Sequence, residues 1–125
     1  MANHIPQISD AEWTVMKVLW AKSPLRSVEI MAALAPVKDW HPNTVKTLLS
    51  RLQKKKAVGI EQEMNRYLFF PLVSEAECVK AESQSFMERV FGGSVKPLLV
   101  HFVEKNKVSP NDIDELKSLL RKKKR

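Results

Sequence analysis

The sequence predicts a mainly α-helical chain with one small β-hairpin, and three observations support this fold class. Residues 9–56 carry apolar side chains at helical spacing in three successive stretches. Residues 59–71, GIEQEMNRYLFFP, form two short β-prone runs on either side of Met64-Asn65. Helical spacing then returns and continues to the C-terminal end. Three helices followed by a two-stranded hairpin is the order of a winged helix-turn-helix domain, which we place at residues 1–73.

The first two helices are short and have recognisable starts. Ser9 and Glu12 fit a capping box for the first helix, and Pro24 ends it because proline disfavours helical geometry in the residue before it. The apolar face of this helix is formed by Trp13, Met16, Leu19 and Trp20. Ser27 is predicted to cap the second helix, over residues 28–34.

The third helix, within residues 39–56, has an outward face of polar and cationic side chains, which do not contribute to a hydrophobic core. Pro42 suits its first turn because the N–H that proline lacks would be unpaired there. Between Trp40 and Ile60 the chain has five cations and no acid, so this stretch carries positive potential. The inward face of the helix is formed by Val45, Leu48, Leu49 and Leu52.

We predict that the outward face of this helix binds DNA. Threonine and asparagine side chains can reach base edges, whereas lysine and arginine neutralise phosphates. The predicted DNA-binding residues, including one on the hairpin, are His41, Asn43, Thr44, Lys46, Thr47, Ser50, Arg51, Lys54, Lys55 and Arg66. The alternative is a helical adaptor protein whose basic helix docks an acidic protein partner. RNA binding is less favoured because the sequence lacks exposed aromatic platforms placed like those of RNA-binding modules.

Residues 74–125 are predicted to form a three-helix dimerisation region with a basic C-terminal tail. Ser74 and Glu77 repeat the capping-box pattern, Gly92-Gly93 ends the first of these helices, and Ser109-Pro110 opens the last. About fifty residues cannot bury three apolar stripes alone, so we expect a homodimer. Packing of the stripes onto the front domain is the alternative. The predicted dimerisation residues are Phe86, Val90, Leu98, Leu99, Phe102, Val103, Ile113, Leu116, Leu119 and Leu120.

Composition and charge argue against several other classes of protein. The 125 residues include 21 Lys and Arg against 14 Asp and Glu, and the net charge of +7 favours a polyanionic partner. We expect a cytoplasmic protein without membrane insertion, because neither a membrane-spanning run nor a signal-peptide core is present. Cys78 is expected to be a small buried side chain, and the histidines share no ligand spacing with it, so no metal site is assigned. Without a glycine-rich phosphate loop or a nucleophile motif, we predict neither a cofactor nor enzymatic activity.

Four segments, in this order and spacing, resemble the penicillinase repressor family over nearly the whole chain. They are QISDAEWTVMKVLW, KDWHPNTVKTLLSRLQKKKAV, FFPLVSEAE and LLVHFVEKNKVSPNDIDELKSLL. The resemblance implies a homodimeric winged-helix repressor that binds inverted-repeat operators in double-stranded DNA ahead of β-lactam resistance genes, which encode a β-lactamase or a penicillin-binding protein. It also implies induction by proteolytic cleavage in the dimerisation region, through a protease activated by a membrane sensor.

The resemblance assigns roles to individual residues. Thr44 and Thr47 match recognition-helix threonines of the family, and Arg51 lies in its Leu-x-Arg-Leu-like segment. The bond that the family cleaves, typically Asn-Phe, falls on His101-Phe102, so the phenylalanine is retained while the asparagine is replaced.

Two departures from the family pattern concern glycine, and a third concerns cysteine. Lys56 stands where relatives usually have a helix-ending glycine, and Met64-Asn65 stands where they usually have Gly-Arg at the wing tip. Arg66 is expected to supply the wing cation instead, and Asn65 is expected to tolerate a positive φ in the turn. The C-terminal cysteine cluster of the copper-sensing branch is missing, so the resemblance does not imply metal-dependent induction.

Overall fold

The computed structural model describes residues 5–123, which form six helices and one antiparallel two-stranded sheet. In chain order these elements are α1 (Asp10–Ala21), α2 (Ser27–Leu34), α3 (Pro42–Lys54), β1 (Val58–Glu63), β2 (Arg66–Pro71), α4 (Glu75–Phe91), α5 (Lys96–Glu104) and α6 (Pro110–Lys123). This order confirms the predicted fold class. Two compact units meet between Glu82 and Ser83, inside α4. The domain boundary predicted between residues 73 and 74 precedes that helix and stays a prediction.

One hydrophobic core holds α1, α2, α3 and the hairpin together in the first unit. Ring centroids of Trp13 and Trp20 lie 5.5 Å apart at its edge, and Trp20 Nε1 donates a hydrogen bond of 2.9 Å to the Val73 carbonyl. That bond ties the segment before α4 to α1. The large side chains at the centre of the core are Val15, Met16, Leu19, Ile30, Leu49, Leu52 and Val58.

The starts of α1 and α2 show how local hydrogen bonds fix helix boundaries. The predicted capping box of α1 is present, with Glu12 N–H donating to Ser9 Oγ at 3.2 Å. The prediction that Ser27 caps α2 is wrong, because the N-cap residue is Arg26. The Arg26 backbone N–H donates to a Glu29 carboxylate oxygen at 2.9 Å, which starts the helix one residue earlier. Ser27 is therefore the first helical residue of α2.

The end of α3 has the hydrogen bonds of a Schellman motif, although a lysine occupies its left-handed position. The Ala57 N–H donates to the Leu52 carbonyl at 2.9 Å, and the Lys56 N–H donates to the Gln53 carbonyl at 3.0 Å. Lys56 has a φ of 65°, in the region that glycine occupies at little cost. The chain thus keeps the geometry of a helix-ending glycine without the glycine.

The hairpin pairs β1 with β2 in antiparallel register, with Glu63 opposite Arg66. At the tip, the positive φ of 57° falls on Met64, so the expectation that Asn65 takes it is wrong. Some two-residue turns require a positive φ only at their first central position, which here is Met64. Leu25 adds a bridge to β2: its N–H donates to the Phe69 carbonyl at 3.0 Å, and its carbonyl accepts from the Phe69 N–H at 2.8 Å. This bridge, which sequence analysis did not predict, fixes the hairpin to the segment between α1 and α2.

The second unit contains the end of α4 together with α5 and α6. Gly92 and Gly93, with φ values of 59° and 89°, end α4 as predicted. Ser109 caps α6, since its Oγ accepts a hydrogen bond of 3.0 Å from the Asp112 N–H. No side chain between residues 83 and 123 is buried, although the helices carry wide apolar faces.

Candidate nucleic-acid interface

The outward face of α3 brings four of the predicted DNA-binding residues into one shallow depression. Asn43, Thr44, Thr47 and Arg51 line it together with Leu48, and its volume is about 300 Å³. Helical periodicity accounts for this grouping, because residues three and four positions apart are neighbours on a helix surface. Three further predicted residues on the same helix, Lys46, Ser50 and Lys54, are also exposed.

Hydrogen bonds within α3 determine what two of these side chains can offer a base. Thr47 Oγ1 donates to the Asn43 carbonyl at 2.9 Å, so its hydroxyl hydrogen is already engaged. Its oxygen lone pairs and its methyl group remain available for a base amino group or a thymine methyl. His41 is the N-cap residue of α3, and its Nδ1 accepts a hydrogen bond of 3.0 Å from the Asn43 N–H.

Lys55, which we predicted to contact DNA, has a partner inside the protein. Its Nζ donates hydrogen bonds to a carboxylate oxygen of Glu12 and, at 2.9 Å, to the Gln7 carbonyl. Glu12 is buried, with 1% of its surface exposed. We therefore leave Lys55 out of the proposed DNA-contact set and assign it to holding α3 against α1.

Sequence analysis missed the burial of Glu12, although the pattern of α1 contained a signal for it. Glu12 precedes Met16 and Leu19 at helical spacing, so it lies on the apolar face of the helix. Burial by itself raises the pKa of Glu12, but hydrogen bonds from Lys55 and Ser9 outweigh it and hold that pKa below its usual value. The carboxylate is therefore charged at neutral pH.

Arg66, the predicted wing cation, shares its face of the hairpin with acidic side chains. It lies opposite Glu63 across the two strands, and Glu61 points to the same side because alternate strand residues share a face. The face that carries Arg66 therefore has two carboxylates and one cation. The role of Arg66 as a phosphate contact stays a prediction.

The predicted dimerisation residues all lie on α4, α5 and α6 and are exposed or half-buried in the single chain. Phe102 is 39% exposed and Leu120 60% exposed. His101 and Phe102, the predicted cleavage site, are neighbours in the second half of α5 with ring centroids 5.7 Å apart. Cutting between them would divide a helix that contributes to the apolar surface of this unit.

Comparison with known proteins identifies the family. The family model described as "Penicillinase repressor" matches residues 8–122. The chain belongs to the penicillinase repressor family. This finding confirms the resemblance carried by the four sequence segments.

Three individual matches show how far the similarity to penicillinase repressors extends. The penicillinase repressor of Bacillus licheniformis is 35% identical over 116 residues, which cover 93% of this chain and 91% of that protein. The methicillin resistance regulatory protein MecI of Staphylococcus aureus (strain N315) is 34% identical over 123 residues, covering 98% and 100% of the two chains. The solution structure of the Bacillus licheniformis BlaI monomeric form in complex with the blaP half-operator is 39% identical, with a TM-score of 0.53, and covers 59% of this chain and 90% of that one.

Membership of the penicillinase repressor family places the chain among transcriptional repressors, which are not a class of enzymes. Within residues 5–123, none of the helices has the length and apolar composition that crossing a bilayer requires. Cys78 is buried as predicted, and burial, followed by the nearby charge of Glu77, raises the pKa of its thiol.

Proposed function

We propose that this chain is a transcriptional repressor that binds an inverted-repeat operator in double-stranded DNA as a homodimer. The observation that carries the proposal is the outward face of α3, where Asn43, Thr44, Thr47 and Arg51 share one exposed depression. A helix of this kind fits the major groove, where base edges present distinct donors and acceptors. The comparison with the BlaI half-operator complex supports the same function. Nothing in the comparisons supports the alternative of a helical adaptor.

Within α3 we assign two kinds of contact to the exposed side chains. Asn43, Thr44 and Thr47 read base edges, and Lys46 and Lys54 neutralise phosphates. His41 and Ser50 are secondary members of the contact set, since His41 also caps the helix through Nδ1.

The exposed apolar surface of the second unit supports the proposal that the chain forms a homodimer. Between residues 83 and 123 no side chain is buried, and apolar side chains such as Leu99, Phe102 and Leu116 are more than a third exposed. Exposed apolar surface of this extent marks an interaction site in a soluble protein. A second copy of the chain would cover it, and the resulting twofold symmetry matches an inverted repeat.

By analogy with its relatives, we assign the repressor to β-lactam resistance genes and its inactivation to proteolysis. Cleavage between His101 and Phe102, by a protease that a membrane sensor activates, would detach the end of α5 and all of α6. Each first unit would then bind a half-site alone. Without the linkage between two weakly binding units, operator affinity falls by roughly 10² to 10⁴.

Binding to the DNA upstream of the chain's own gene, compared with a scrambled duplex of equal composition, tests the proposal. If the dimer contacts about eight phosphates, log K should fall with log[salt] with a slope near −7 on either duplex. Operator DNA should bind at least about a thousandfold more tightly. Equal affinity for both duplexes, or a slope shallower than about −2, would contradict the proposal.

A further inference from the structure

A trough of about 300 Å³ lies between α3 and the hairpin, and it shares no lining residue with the depression that contains Asn43 and Thr47. Apolar side chains form its floor, and polar side chains form its rim. The side chains that matter here are Leu49, Ile60 and Phe69 on the floor and Lys46 and Tyr67 on the rim. We call this feature the ligand trough.

Strand register decides which hairpin side chains face the ligand trough. Ile60 is opposite Phe69, and Tyr67 lies two positions before Phe69 on β2, so the three side chains share one face of the hairpin. Glu61 and Glu63 alternate with Ile60 along β1. The carboxylates of the hairpin therefore lie on the face that points away from the trough.

The rim of the ligand trough favours an anion. Its one charged lining residue is the cation Lys46, and no carboxylate lines it among the described residues. Within residues 5–123, the Lys46 ammonium has no ion-pair or hydrogen-bond partner, and neither has the Tyr67 hydroxyl, whose residue is 57% exposed. An anionic group at the rim would gain a charge-assisted hydrogen bond from each of them.

The floor of the ligand trough favours an apolar ring, and it is formed before any ligand arrives. Leu49 and Phe69 belong to the hydrophobic core of the first unit, so packing holds them in place. Pockets that bind small molecules combine such apolar walls with a few polar groups, and a volume of 300 Å³ is at the lower end of their range. The volume therefore suits a small planar ligand.

We propose that the ligand trough binds a small aromatic carboxylate, with its ring on the apolar floor and its carboxylate beside Lys46 and Tyr67, and that this ligand weakens DNA binding. A neutral aromatic compound would leave the ammonium of Lys46 without a partner. An inorganic anion would leave the floor uncovered, and Lys46 would repel a cation. A carboxylate on a flat ring satisfies both parts of the trough.

The effect on DNA follows from the position of Lys46. The same side chain is a proposed phosphate contact, and a carboxylate beside it neutralises its charge and repels a phosphate. Ligand and DNA should therefore weaken each other's binding by the same factor, because coupling between two sites is reciprocal. This effect rests on the proposed function, whereas binding of the ligand to the free protein does not.

Calorimetric titration of the DNA-free protein with 2-naphthoate tests the binding. We expect one saturable site per chain with a Kd of about 1 mM or lower, which is within reach of a ligand of this size. Lys46→Gln should raise this Kd by roughly 10- to 100-fold, and Tyr67→Phe should also raise it, because each removes a hydrogen bond to a charged group. Arg66→Gln is the matched control, since it removes the same charge from the opposite face of the hairpin and should leave the Kd nearly unchanged.

The uncharged isostere 2-naphthamide separates a specific contact from general adsorption of aromatic compounds. It should bind the unchanged protein more weakly than 2-naphthoate does, and Lys46→Gln should not affect its binding. On operator DNA, saturating 2-naphthoate should raise the Kd of the repressor by about 5- to 150-fold, the usual size of coupling between two sites. It should also make the salt slope shallower by about one for each phosphate that Lys46 neutralises.

Four results would overturn the inference. One is the absence of saturable 2-naphthoate binding up to about 10 mM. Another is an equal loss of binding in Lys46→Gln and Arg66→Gln, which would reflect net charge alone. A third is displacement of 2-naphthoate by an equal concentration of inorganic phosphate, which would leave the apolar floor without a role. The fourth is unchanged operator affinity with 2-naphthoate bound. If the ligand-free protein binds no DNA, the proposed function fails, while the titration still decides whether the trough binds the ligand.

Discussion

Lys55 donates a hydrogen bond to the buried carboxylate of Glu12 and so joins the C-terminal end of α3 to the first turn of α1. The same carboxylate oxygen accepts a hydrogen bond of 2.9 Å from the Ser9 N–H. The second oxygen of Glu12, Oε2, has no partner within residues 5–123. Because α3 carries the proposed base-reading side chains, this ion pair helps to fix the orientation of the reading face.

Removing the charge of Glu12 should destabilise the first unit in a pH-dependent way. Glu12→Gln should lower the free energy of unfolding at pH 7 by roughly 1–3 kcal/mol, since Lys55 loses its charged partner. The pKa of Glu12 is lowered from 4.5, so the ion pair stabilises the fold above pH 4.5 and loses its effect as the pH falls below that value. Urea unfolding at pH 7 and at pH 3 should therefore show a difference between variant and parent that shrinks in acid. Glu61→Gln, on the exposed hairpin, is the control, and an equal effect of both substitutions would contradict the assignment.

Glycine at position 56 should stabilise the chain. Lys56 holds a φ of 65°, which costs a residue with a side chain roughly 1 kcal/mol or more. Lys56→Gly removes this strain, which stabilises the folded state. Part of that stabilisation is offset because glycine gives the unfolded chain greater conformational freedom. Thermal unfolding should show a higher Tm for Lys56→Gly than for Lys56→Ala, which removes the same charge and keeps the strain. A Tm for the glycine variant at or below that of the alanine variant would contradict this account.

Substitutions on α3 should separate base reading from phosphate anchoring. Thr47→Ala should reduce operator affinity by roughly 1–3 kcal/mol per recognition helix and leave binding to scrambled DNA nearly unchanged. Lys54→Ala should weaken binding to both duplexes alike. Fluorescence anisotropy on both duplexes at one salt concentration measures the two effects. Identical behaviour of the two variants would show that the division of roles is wrong.

A carboxylate at position 102 should imitate cleavage. Phe102→Asp places a charge on the apolar surface proposed to meet the partner subunit, where an unpaired charge costs several kcal/mol. Sedimentation equilibrium should show a monomer, and operator affinity should fall together with the molar mass. Val37→Asp, at an exposed apolar position of the first unit, should leave both unchanged. A Phe102→Asp variant that stays dimeric with full affinity would remove Phe102 from the interface.

The helices and most of their caps could be predicted because their signals are local in sequence, and the exception is α2, whose N-cap is Arg26 and not Ser27. The spacing of apolar residues indicated the elements, and Ser9, Ser74 and Ser109 capped helices where expected. Contacts between distant residues could not be predicted. Lys55 follows Glu12 by 43 residues, and nothing local pairs them. The faces of the hairpin depend on strand register, which the turn at Met64 sets, so the placement of Tyr67 and Arg66 on opposite faces was not visible in the sequence.

The central claim is that two copies of this chain bind one inverted repeat. Hydroxyl-radical footprinting of the DNA upstream of its own gene tests that claim most directly. We expect two protected half-sites of equal depth, related by a twofold axis and separated by a whole number of helical turns, about 10 base pairs or a multiple of that. Both half-sites should become protected over the same narrow range of protein concentration, because linked subunits bind together. Protection of a single half-site at every concentration, or no protection beyond that of scrambled DNA, would contradict the account.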